Sequence, residues 1–281
     1  MTRSMIAALA LIAALLGTAG ARADGMKTPH NDLLNATLWT QTSVEFKATA
    51  QAAYSLATLM LDRALADTSW TAALEQTGDF AAKPPAVILD VDETVLDNSA
   101  YEAWVIKENT HFSSKTWTPF VDAAISKPIP GSLAFTKYAA AKGVAVFYVT
   151  NRKAHEEDGT RRNLKAFGYP VDEKMDTVLV REENDWGRTK SERRAHVAKD
   201  YRVLLLIGDN LGDFTDEDGS PAERQAIYEK HMDRWSTSWI MIANPMYGSW
   251  ESAAFGGNWK LDSDTRRQMK LQAMEFWEGP K

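Results

Sequence analysis

Three runs of consecutive apolar residues stand out in the hydrophobic pattern of the chain. They cover residues 86–89, 144–149 and 203–207, and each is rich in Val, Ile, Leu or aromatic residues. Continuous runs of this length are typical of strands that are buried on both faces of a sheet. Two shorter segments of similar character cover residues 177–180 and 239–242. The pattern therefore predicts five strands.

Helical periodicity fills most of the chain between and around these runs. Helices are predicted from Asn35 or Thr37 to about residue 66, and over residues 70–76, 132–142, 157–167, 189–199, 221–232 and 263–277. In the first helix we expect a buried apolar face formed by Ala48, Ala52, Leu56, Leu59 and Met60. Strands that alternate with helices of this length indicate βαβ units, so the predicted fold class is α/β with a mainly parallel sheet.

The segment 98–130 interrupts this alternation because it lacks strand character and is rich in aromatic residues. We interpret it as a small, mostly helical cap, called here the aromatic insert. The predicted organisation is a signal peptide (1–23), an N-terminal helical segment (24–85), a core (86–262) that carries the insert, and a C-terminal helix (263–281).

The first 23 residues have the pattern of a secretory signal peptide. Arg3 precedes an apolar stretch over residues 5–16, which is too short to span a bilayer, and small residues at Ala21 and Ala23 fit a cleavage site. Cleavage there would remove Arg3 and Arg22, leaving 30 Lys+Arg against 38 Asp+Glu, a net charge of about −8. This charge argues against a nucleic-acid or anionic-membrane binder. We expect a soluble periplasmic or secreted protein.

The chain of 281 residues contains no cysteine. Disulfides, thiolate metal sites and a cysteine-linked lipid anchor are therefore excluded. The five histidines, His30, His111, His155, His196 and His231, show no metal-ligand spacing. The adjacent Arg193 and Arg194 are expected to lie on a solvated helix face rather than at a phosphate site.

Polar side chains follow three of the predicted strands at the point where each strand ends. They are Asp90 and Asp92, Thr150 and Asn151, and Asp209 and Asp213. Taken alone, Asp90 and Asp92 could also form a solvated acidic turn. Because the carboxyl ends of parallel strands meet at one edge of a sheet, these side chains are expected in one pocket, joined by Lys190 from the helix after the fourth strand.

Clustered carboxylates need a cation, because two unit charges about 4 Å apart repel by roughly 4 kcal/mol even at an effective dielectric constant near 20. All-oxygen ligands favour Mg²⁺, which commonly binds one or two carboxylates together with substrate phosphate. An aspartate can attack phosphorus and form an aspartyl-phosphate. Thr150 and Lys190 are suitable residue types for holding phosphoryl oxygens. The pattern therefore indicates chemistry on a phosphate monoester.

These residues resemble, in order and spacing, the four motifs of the haloacid dehalogenase (HAD) superfamily. More narrowly, residues 89–99, 148–152, 208–214 and 244–250 resemble the exported acid phosphatase and 5′-nucleotidase family of lipoprotein e(P4), and the similarity covers about residues 35–260. The resemblance implies a Rossmann-like HAD core with a small cap. It departs from that family at the N-terminus, where relatives carry a lipid-modified cysteine, so no lipid anchor is expected.

The resemblance also implies roles for individual residues. Asp90 would be the nucleophile and a Mg²⁺ ligand, and Asp92 the general acid and base, which also gives its backbone carbonyl to the metal. Asp209 would be a metal ligand, and Asp213 a ligand through water or an orienting residue. A second aspartate in the first motif favours a phosphatase over a dehalogenase, because it can protonate an alkoxide leaving group.

The remaining implied roles concern the substrate. Thr150 and Asn151 would bind the phosphoryl group, and Lys190 would balance its charge. Phe112 and Tyr247 are the best matches to aromatic residues that stack a nucleobase in the family, and Trp117 would line the same slot. The alternative for all three is simple packing. Because stacking tolerates every base, a broad nucleotidase is expected.

The predicted function is an exported Mg²⁺-dependent acid phosphatase that hydrolyses phosphate monoesters, nucleoside 5′-monophosphates above all, through an aspartyl-phosphate. One alternative is a non-specific phosphatase or phosphotransferase that acts on sugar or aryl phosphates. An alternative from another class is a non-catalytic surface protein that binds haem or another ligand. The choice between a monomer and a homo-oligomer stays open.

Overall fold

Five parallel strands form the central sheet of the structure, a computed structural model that describes residues 32–280. The strands in chain order are β1 (Pro85–Leu89), β2 (Leu96–Asp97), β3 (Lys127–Pro128), β4 (Ala145–Lys153), β5 (Val178–Arg181), β6 (Arg202–Gly208) and β7 (Trp239–Met241). The large sheet has the order β5-β4-β1-β6-β7, and every neighbouring pair is parallel. The predicted α/β fold class is confirmed.

Helices surround this sheet. Within residues 32–280 they are α1 (Leu33–Thr42), α2 (Val44–Ala66), α3 (Ser99–Lys107), α4 (Ser114–Ala123), α5 (Ser132–Ala141), α6 (Glu157–Phe167), α7 (Ser191–Asp200), α8 (Pro221–Lys230), α9 (Ser249–Ala253) and α10 (Ser263–Gln272). In the described part of the chain, no helix combines the length and apolar character needed to cross a membrane. The predicted signal peptide lies outside the described residues.

The apolar runs occupy the predicted strands, and β1 lies at the centre of the sheet. Leu89 stands opposite Tyr148 of β4 on one side and Ile207 of β6 on the other. All four residues from Ala86 to Leu89 are buried, which explains why this strand contains no polar position. One strand differs from its prediction, because β4 continues beyond Val149 to Lys153. The extension adds four residues, Thr150 to Lys153, over which the pairing of β4 with β5 is irregular.

The first predicted helix is broken in two at Ser43. The prediction that it begins at Asn35 or Thr37 is also wrong, because α1 already begins at Leu33. The Ser43 side chain accepts a hydrogen bond from the backbone N–H of Phe46 at 3.0 Å and thereby caps α2. The expected buried face is also mostly wrong, because Ala48, Ala52 and Leu59 are exposed. The residues of α2 that are buried are Phe46, Ala50, Tyr54, Ala57, Met60, Leu61 and Ala64. The buried face therefore combines large side chains such as Phe46 and Tyr54 with a different set of alanines from the predicted one.

Two other helix predictions require correction. Residues 70–76 form an irregular segment with one turn rather than a helix, and polar groups of this segment bond to β6. The Trp70 indole N–H donates to Leu204 O at 2.8 Å, and the Ala72 N–H donates to Val203 O at 2.8 Å. The C-terminal helix α10 ends at Gln272 rather than near 277, and Trp277 is exposed.

The aromatic insert begins and ends at a small antiparallel pair of strands. Leu96 of β2 stands opposite Pro128 of β3, which brings the two ends of the insert together. Its helices α3 and α4 pack through a small core of their own, in which the ring centroids of Tyr101 and Trp117 are 5.0 Å apart. The two ends of the insert therefore lie next to each other, near the carboxyl end of β1. The domain boundaries given above stay a prediction.

Candidate active site

Three aspartates meet at the carboxyl edge of the sheet. Asp90 follows β1 directly, Asp209 follows β6, and Asp213 closes a single 3₁₀ turn after β6. Each offers a carboxylate oxygen, and these oxygens all lie within 4.8 Å of one another. The parallel pairing of β1 and β6 aligns their ends, and the backbone N–H of Asp90 donates to Ile207 O at 2.9 Å. The predicted grouping of these residues is therefore present in the structure.

Lys190 lies among these carboxylates. Its Nζ donates to Oδ1 of Asp90 at 2.5 Å and to Oδ1 of Asp213 at 2.6 Å, and its side chain is only 6% exposed. Burial alone would lower the pKa of Lys190, but the charges of Asp213 and Asp90 outweigh it and raise the pKa. The raised pKa favours the charged ammonium form of Lys190, which faces the aspartate group.

One ammonium does not balance three carboxylates, of which those of Asp90 and Asp213 are buried and that of Asp209 is half-buried. Burial raises the pKa of Asp90 to about 7, against the attraction of Lys190, and the charges of Asp213 and Asp92 contribute to the rise. Burial, together with the charges of Asp213 and Asp90, also raises the pKa of Asp209 well above its usual value. The available ligand atoms are carboxylate oxygens, and Lys190 alone does not neutralise them. These residues therefore fit a hard divalent cation such as Mg²⁺.

Gly208 makes the approach of Asp213 sterically feasible. A Cβ atom at this position would lie 2.2 Å from Asp213 Oδ2 and 2.4 Å from its Cβ. With glycine there, Asp213 Oδ2 instead accepts a hydrogen bond from the backbone N–H of Asn210 at 2.8 Å. The glycine that ends β6 thus fixes the geometry of the turn that carries Asp209 and Asp213.

Asp92 lies beside this group but is held by different partners. Its Oδ1 accepts hydrogen bonds from Asn98 Nδ2 at 2.7 Å and from Arg152 Nε at 3.0 Å, and Arg152 Nη2 lies 2.8 Å away. Its Oδ2 accepts from Thr150 Oγ1 at 3.3 Å. The Asp92 side chain is 20% exposed, whereas that of Arg152 is 1% exposed. The two aspartates of the first motif therefore have different environments.

The polar residues of β4 divide between the interior and the surface. Thr150 is fully buried, and its Oγ1 accepts from the backbone N–H of Arg152 at 3.1 Å. Asn151 is exposed, and its Oδ1 accepts from Nη2 of Arg193 at 2.8 Å. Successive strand residues point to opposite sides, which explains this division. Their predicted role in binding phosphate stays a prediction.

The expectation that Arg193 and Arg194 lie on a solvated face is wrong, because both side chains are buried. Arg193 Nη1 donates to the carbonyl of Thr150, and Arg194 pairs with Glu75 at 2.7 Å. Burial lowers the pKa of Arg193 to about 10. These guanidinium groups bond to backbone carbonyls and acidic side chains of neighbouring elements, which a helical charge pattern cannot reveal.

Tyr247 is connected to the first motif through Glu93. The Glu93 carboxylate accepts from the backbone N–H of Asn98 at 2.7 Å, from Asn98 Nδ2 at 2.9 Å and from the Tyr247 hydroxyl. Glu93 is buried and has φ +54°, a conformation rare for residues other than glycine, and these bonds hold it there. Burial raises the pKa of Glu93 and of Tyr247 well above their usual values.

The aromatic side chains proposed for base stacking differ in exposure. Phe112 is 58% exposed, whereas Trp117 is 9% exposed and packs against Tyr101 and Phe120. One face of Trp117 meets the Arg152 guanidinium, 5.5 Å from the ring. Phe112 thus has an available face, and Trp117 contributes mainly to the core of the insert.

Sequence reasoning assigned no role to several residues that contact the site. Arg152, Asn98 and Glu93 surround Asp92, and Asn244 Nδ2 donates to Asp209 Oδ2 at 2.9 Å. All four belong to the sequence segments that carry the family resemblance. Their position in those segments was the one sequence signal that could have identified them as site residues. Residue type and spacing alone did not reveal which side chains they contact.

Comparison with known proteins identifies the class to which this site belongs. Residues 16–250 match the family described as HAD superfamily, subfamily IIIB (acid phosphatase). The structure is similar to that of the class C acid phosphatase from Bacillus anthracis, with 33% identity and a TM-score of 0.77 over 88% of this chain and 98% of that chain. The same protein with tungstate bound matches at 33% identity and a TM-score of 0.76, with the same coverage. The fold and family define a phosphoric monoester hydrolase.

The chain belongs to the subfamily IIIB acid phosphatases of the HAD superfamily. The resemblance inferred from the sequence motifs is therefore confirmed. This membership favours the catalytic interpretation over the non-catalytic ligand-binding alternative.

Proposed function

We propose that this protein is an exported, Mg²⁺-dependent acid phosphatase that hydrolyses nucleoside 5′-monophosphates through an aspartyl-phosphate. The observation that carries the proposal is the meeting of Asp90, Asp209 and Asp213 around Lys190, with Asp92 beside them. A phosphate monoester needs a nucleophile, charge neutralisation and a proton donor, and this arrangement offers all three.

The reaction has two steps, in which Asp90 and Asp92 have different roles. A carboxylate oxygen of Asp90 attacks phosphorus while the bond to the leaving oxygen breaks, and Asp92 gives its proton to that oxygen. Water then attacks the aspartyl-phosphate, the Asp90–phosphorus bond breaks, and Asp92 takes back a proton from the water. Thr150 and Lys190 are suited to hold the phosphoryl oxygens during both steps. Each step conserves protons, so Asp92 ends in its starting form.

A cation at this site would be held by the side chains of Asp90, Asp209 and Asp213 and by the backbone carbonyl of Asp92. When bound, Mg²⁺ supplies the positive charge that lets an anionic phosphate approach several carboxylates. The carboxylate oxygens of Asp90, Asp209 and Asp213 lie within 4.8 Å of one another beside the ammonium of Lys190, and this proximity supports the assignment.

The nucleotide preference rests on the aromatic side chains. Phe112 is exposed on the aromatic insert, and the half-buried Tyr247 lies in a loop that also carries Asn244, a partner of Asp209. An aromatic face close to a phosphate site is suited to stacking a base of any identity. A broad specificity for nucleoside monophosphates is therefore proposed in preference to sugar or aryl phosphates.

Export rests on the N-terminal pattern described above. If the pattern is a signal peptide, protein recovered after secretion should begin at Asp24, which N-terminal sequencing would show. Recovery of an intact N-terminus from the periplasmic fraction would contradict cleavage after Ala23.

A substrate panel tests the activity directly. Phosphate release should be measured from nucleoside monophosphates, a sugar phosphate and an aryl phosphate between pH 4 and 8, with EDTA and with added Mg²⁺. We expect EDTA to abolish release and Mg²⁺ to restore it. Asp90→Asn should remove turnover while the circular dichroism spectrum stays unchanged. Substantial residual turnover in Asp90→Asn would exclude Asp90 as the nucleophile.

Two substitutions at Tyr247 distinguish two possible roles of its side chain. The ring could stack a nucleobase, or the hydroxyl could support the first motif through its hydrogen bond to Glu93. Tyr247→Phe keeps the ring but loses the hydrogen bond to Glu93, and Tyr247→Ala loses both. If the ring stacks a base, Tyr247→Ala alone should reduce kcat/KM for nucleotides relative to a small aryl phosphate. Equal losses for the two substrate classes would favour the non-specific phosphatase.

A further inference from the structure

The carboxylate of Asp92 has one occupied and one available oxygen. Oδ1 accepts from Asn98 Nδ2 at 2.7 Å and from Arg152 Nε at 3.0 Å, and it lies 2.8 Å from Arg152 Nη2. Among the described residues, Oδ2 accepts only the longer bond from Thr150, at 3.3 Å. An oxygen that already faces several N–H donors is a poor place for a proton. The proton that Asp92 exchanges must therefore be carried on Oδ2.

From this asymmetry we infer that Arg152 is a positioning residue for proton transfer. By holding Oδ1, the guanidinium aims Oδ2 of Asp92 at the leaving oxygen and later at the attacking water. This inference rests on the proposed function, since it assumes that Asp92 is the general acid and base.

Arg152 is itself held in one orientation. Its Nη1 donates to Thr160 Oγ1 at 3.1 Å and its Nη2 to Asn98 Oδ1 at 3.3 Å, and its guanidinium lies 5.5 Å from the centre of the Trp117 ring. The side chain is 1% exposed, and its nitrogens are used by these partners and Asp92. A planar, multiply bonded guanidinium is far more restricted in orientation than an ammonium. Arg152 is therefore placed to orient another side chain rather than to bind phosphate itself.

The extension of β4 explains how this arrangement arises from the sequence. Burial alternates along this irregularly paired part of β4, where Thr150 and Arg152 are buried and Asn151 is exposed. The partners of Arg152 come from the aromatic insert and from α6, which contributes Thr160. The orientation of the proposed acid thus depends on elements outside the sheet.

Substrates that differ in their leaving group test this role. A dinitrophenyl phosphate releases a stable phenolate that needs no proton, whereas an alkyl phosphate monoester releases an alkoxide that does. In Arg152→Gln, kcat/KM for the alkyl ester should fall by about 10²- to 10⁴-fold, the usual contribution of general acid catalysis, whereas kcat/KM for the dinitrophenyl ester should change by only about threefold.

A second readout comes from the hydrolysis of the phosphoenzyme. Because water attack also needs Asp92, Arg152→Gln should form the aspartyl-phosphate from the dinitrophenyl ester at a normal rate but hydrolyse it slowly. Stopped-flow absorbance should then show a burst of dinitrophenolate of about one per active site, with kcat and KM falling together. A purely structural defect would diminish the burst instead.

The control lies on the same helix as Thr160. Arg162→Gln removes an exposed arginine that pairs with Asp158 at 2.9 Å, and it should leave kcat/KM unchanged for both substrates. Thr160→Val removes one partner of Arg152 and should reproduce the leaving-group effect in weaker form. If Arg152→Gln does not fold, Thr160→Val tests the positioning role of Arg152 in its place.

The outcomes are distinct. If the wild-type protein hydrolyses neither ester, the proposed function fails. If the wild type is active but the folded variants lose both esters equally and show no burst, the positioning role of Arg152 is overturned while the phosphatase proposal stands. Selective loss of the alkyl ester together with a burst supports the role.

Discussion

The ammonium of Lys190 lies 2.5 Å from the carboxylate of Asp90, and the two side chains are only 6% and 10% exposed. The same ammonium lies 2.6 Å from Asp213. Removal of one member of a buried ion pair leaves an uncompensated charge and commonly costs about 3–5 kcal/mol. This contact therefore affects both the stability of the free protein and the binding of an anionic substrate.

Lys190→Gln should lower the free energy of unfolding by about 3–5 kcal/mol at neutral pH in EDTA. Added Mg²⁺ should recover part of this loss, because a bound cation supplies the missing positive charge. Denaturant titration with EDTA and with Mg²⁺ measures both effects. Lys199→Gln, at an exposed position of α7, the helix that begins directly after Lys190, is the control and should be neutral. An equal loss of stability with and without Mg²⁺ would contradict this account.

Gly208→Ala should disable the site through a steric clash. The new Cβ would lie 2.2 Å from Asp213 Oδ2, so Asp213 has to move. We expect a decrease in kcat/KM of at least about tenfold and a higher Mg²⁺ concentration for half-maximal activity, the usual effect of disturbing residues that support a metal site. Gly212→Ala lies in the same turn, where a Cβ would meet nothing within 4 Å, and should retain activity. Similar losses in both variants would indicate a general requirement for flexibility instead.

Much of the fold could be predicted because the apolar runs are uninterrupted. Every residue of β6 is buried. A run of apolar residues this short and continuous, bounded by polar residues and glycine, is typical of a buried strand rather than of a helix. The face of α2 could not be predicted in the same way. Its many alanines fit either side, and the buried side is determined by contacts such as the hydrogen bond from the Tyr54 hydroxyl to Thr94 O at 2.6 Å. Long-range contacts of this kind leave no periodic signal.

The candidate site shows the same division. The meeting of Asp90 with Asp209 follows from the rule that parallel strands end at one edge, so the sequence was sufficient to predict it. The partners of Asp92 were not predictable, because Arg152 reaches Asp92 across 60 residues of sequence. Likewise, the burial of Arg193 depends on the carbonyls that it meets, which become visible only in three dimensions.

Asn244→Ala should weaken cation binding more than catalysis. Asn244 Nδ2 donates to Asp209 Oδ2 at 2.9 Å and so orients a proposed metal ligand. Loss of such a partner typically costs about 10- to 100-fold in metal affinity. We expect the Mg²⁺ concentration for half-maximal activity to rise by that factor, while kcat at saturating Mg²⁺ changes little. Asn258→Ala, at an exposed position, is the matched control.

Glu102, on the first helix of the aromatic insert, should make the stability of the protein depend on pH. It is 7% exposed, and burial, with a contribution from the charge of Glu251, raises its pKa from 4.5 to about 7. The unfolded chain loses this proton near pH 4.5, whereas the folded protein retains it until about pH 7. Its contribution to stability is therefore fully present below pH 4.5 and declines as the pH rises to 7.

Glu102→Gln cannot ionise, so it should unfold at nearly the same denaturant concentration as the wild type at pH 4. At pH 8 the variant should be the more stable protein, by up to about 3 kcal/mol, since one pKa unit corresponds to about 1.4 kcal/mol. Urea titrations at the two pH values measure the difference. Glu108→Gln, whose side chain is 48% exposed, should show no such divergence. If the stability difference between Glu102→Gln and the wild type were the same at both pH values, a buried, protonated Glu102 would be excluded.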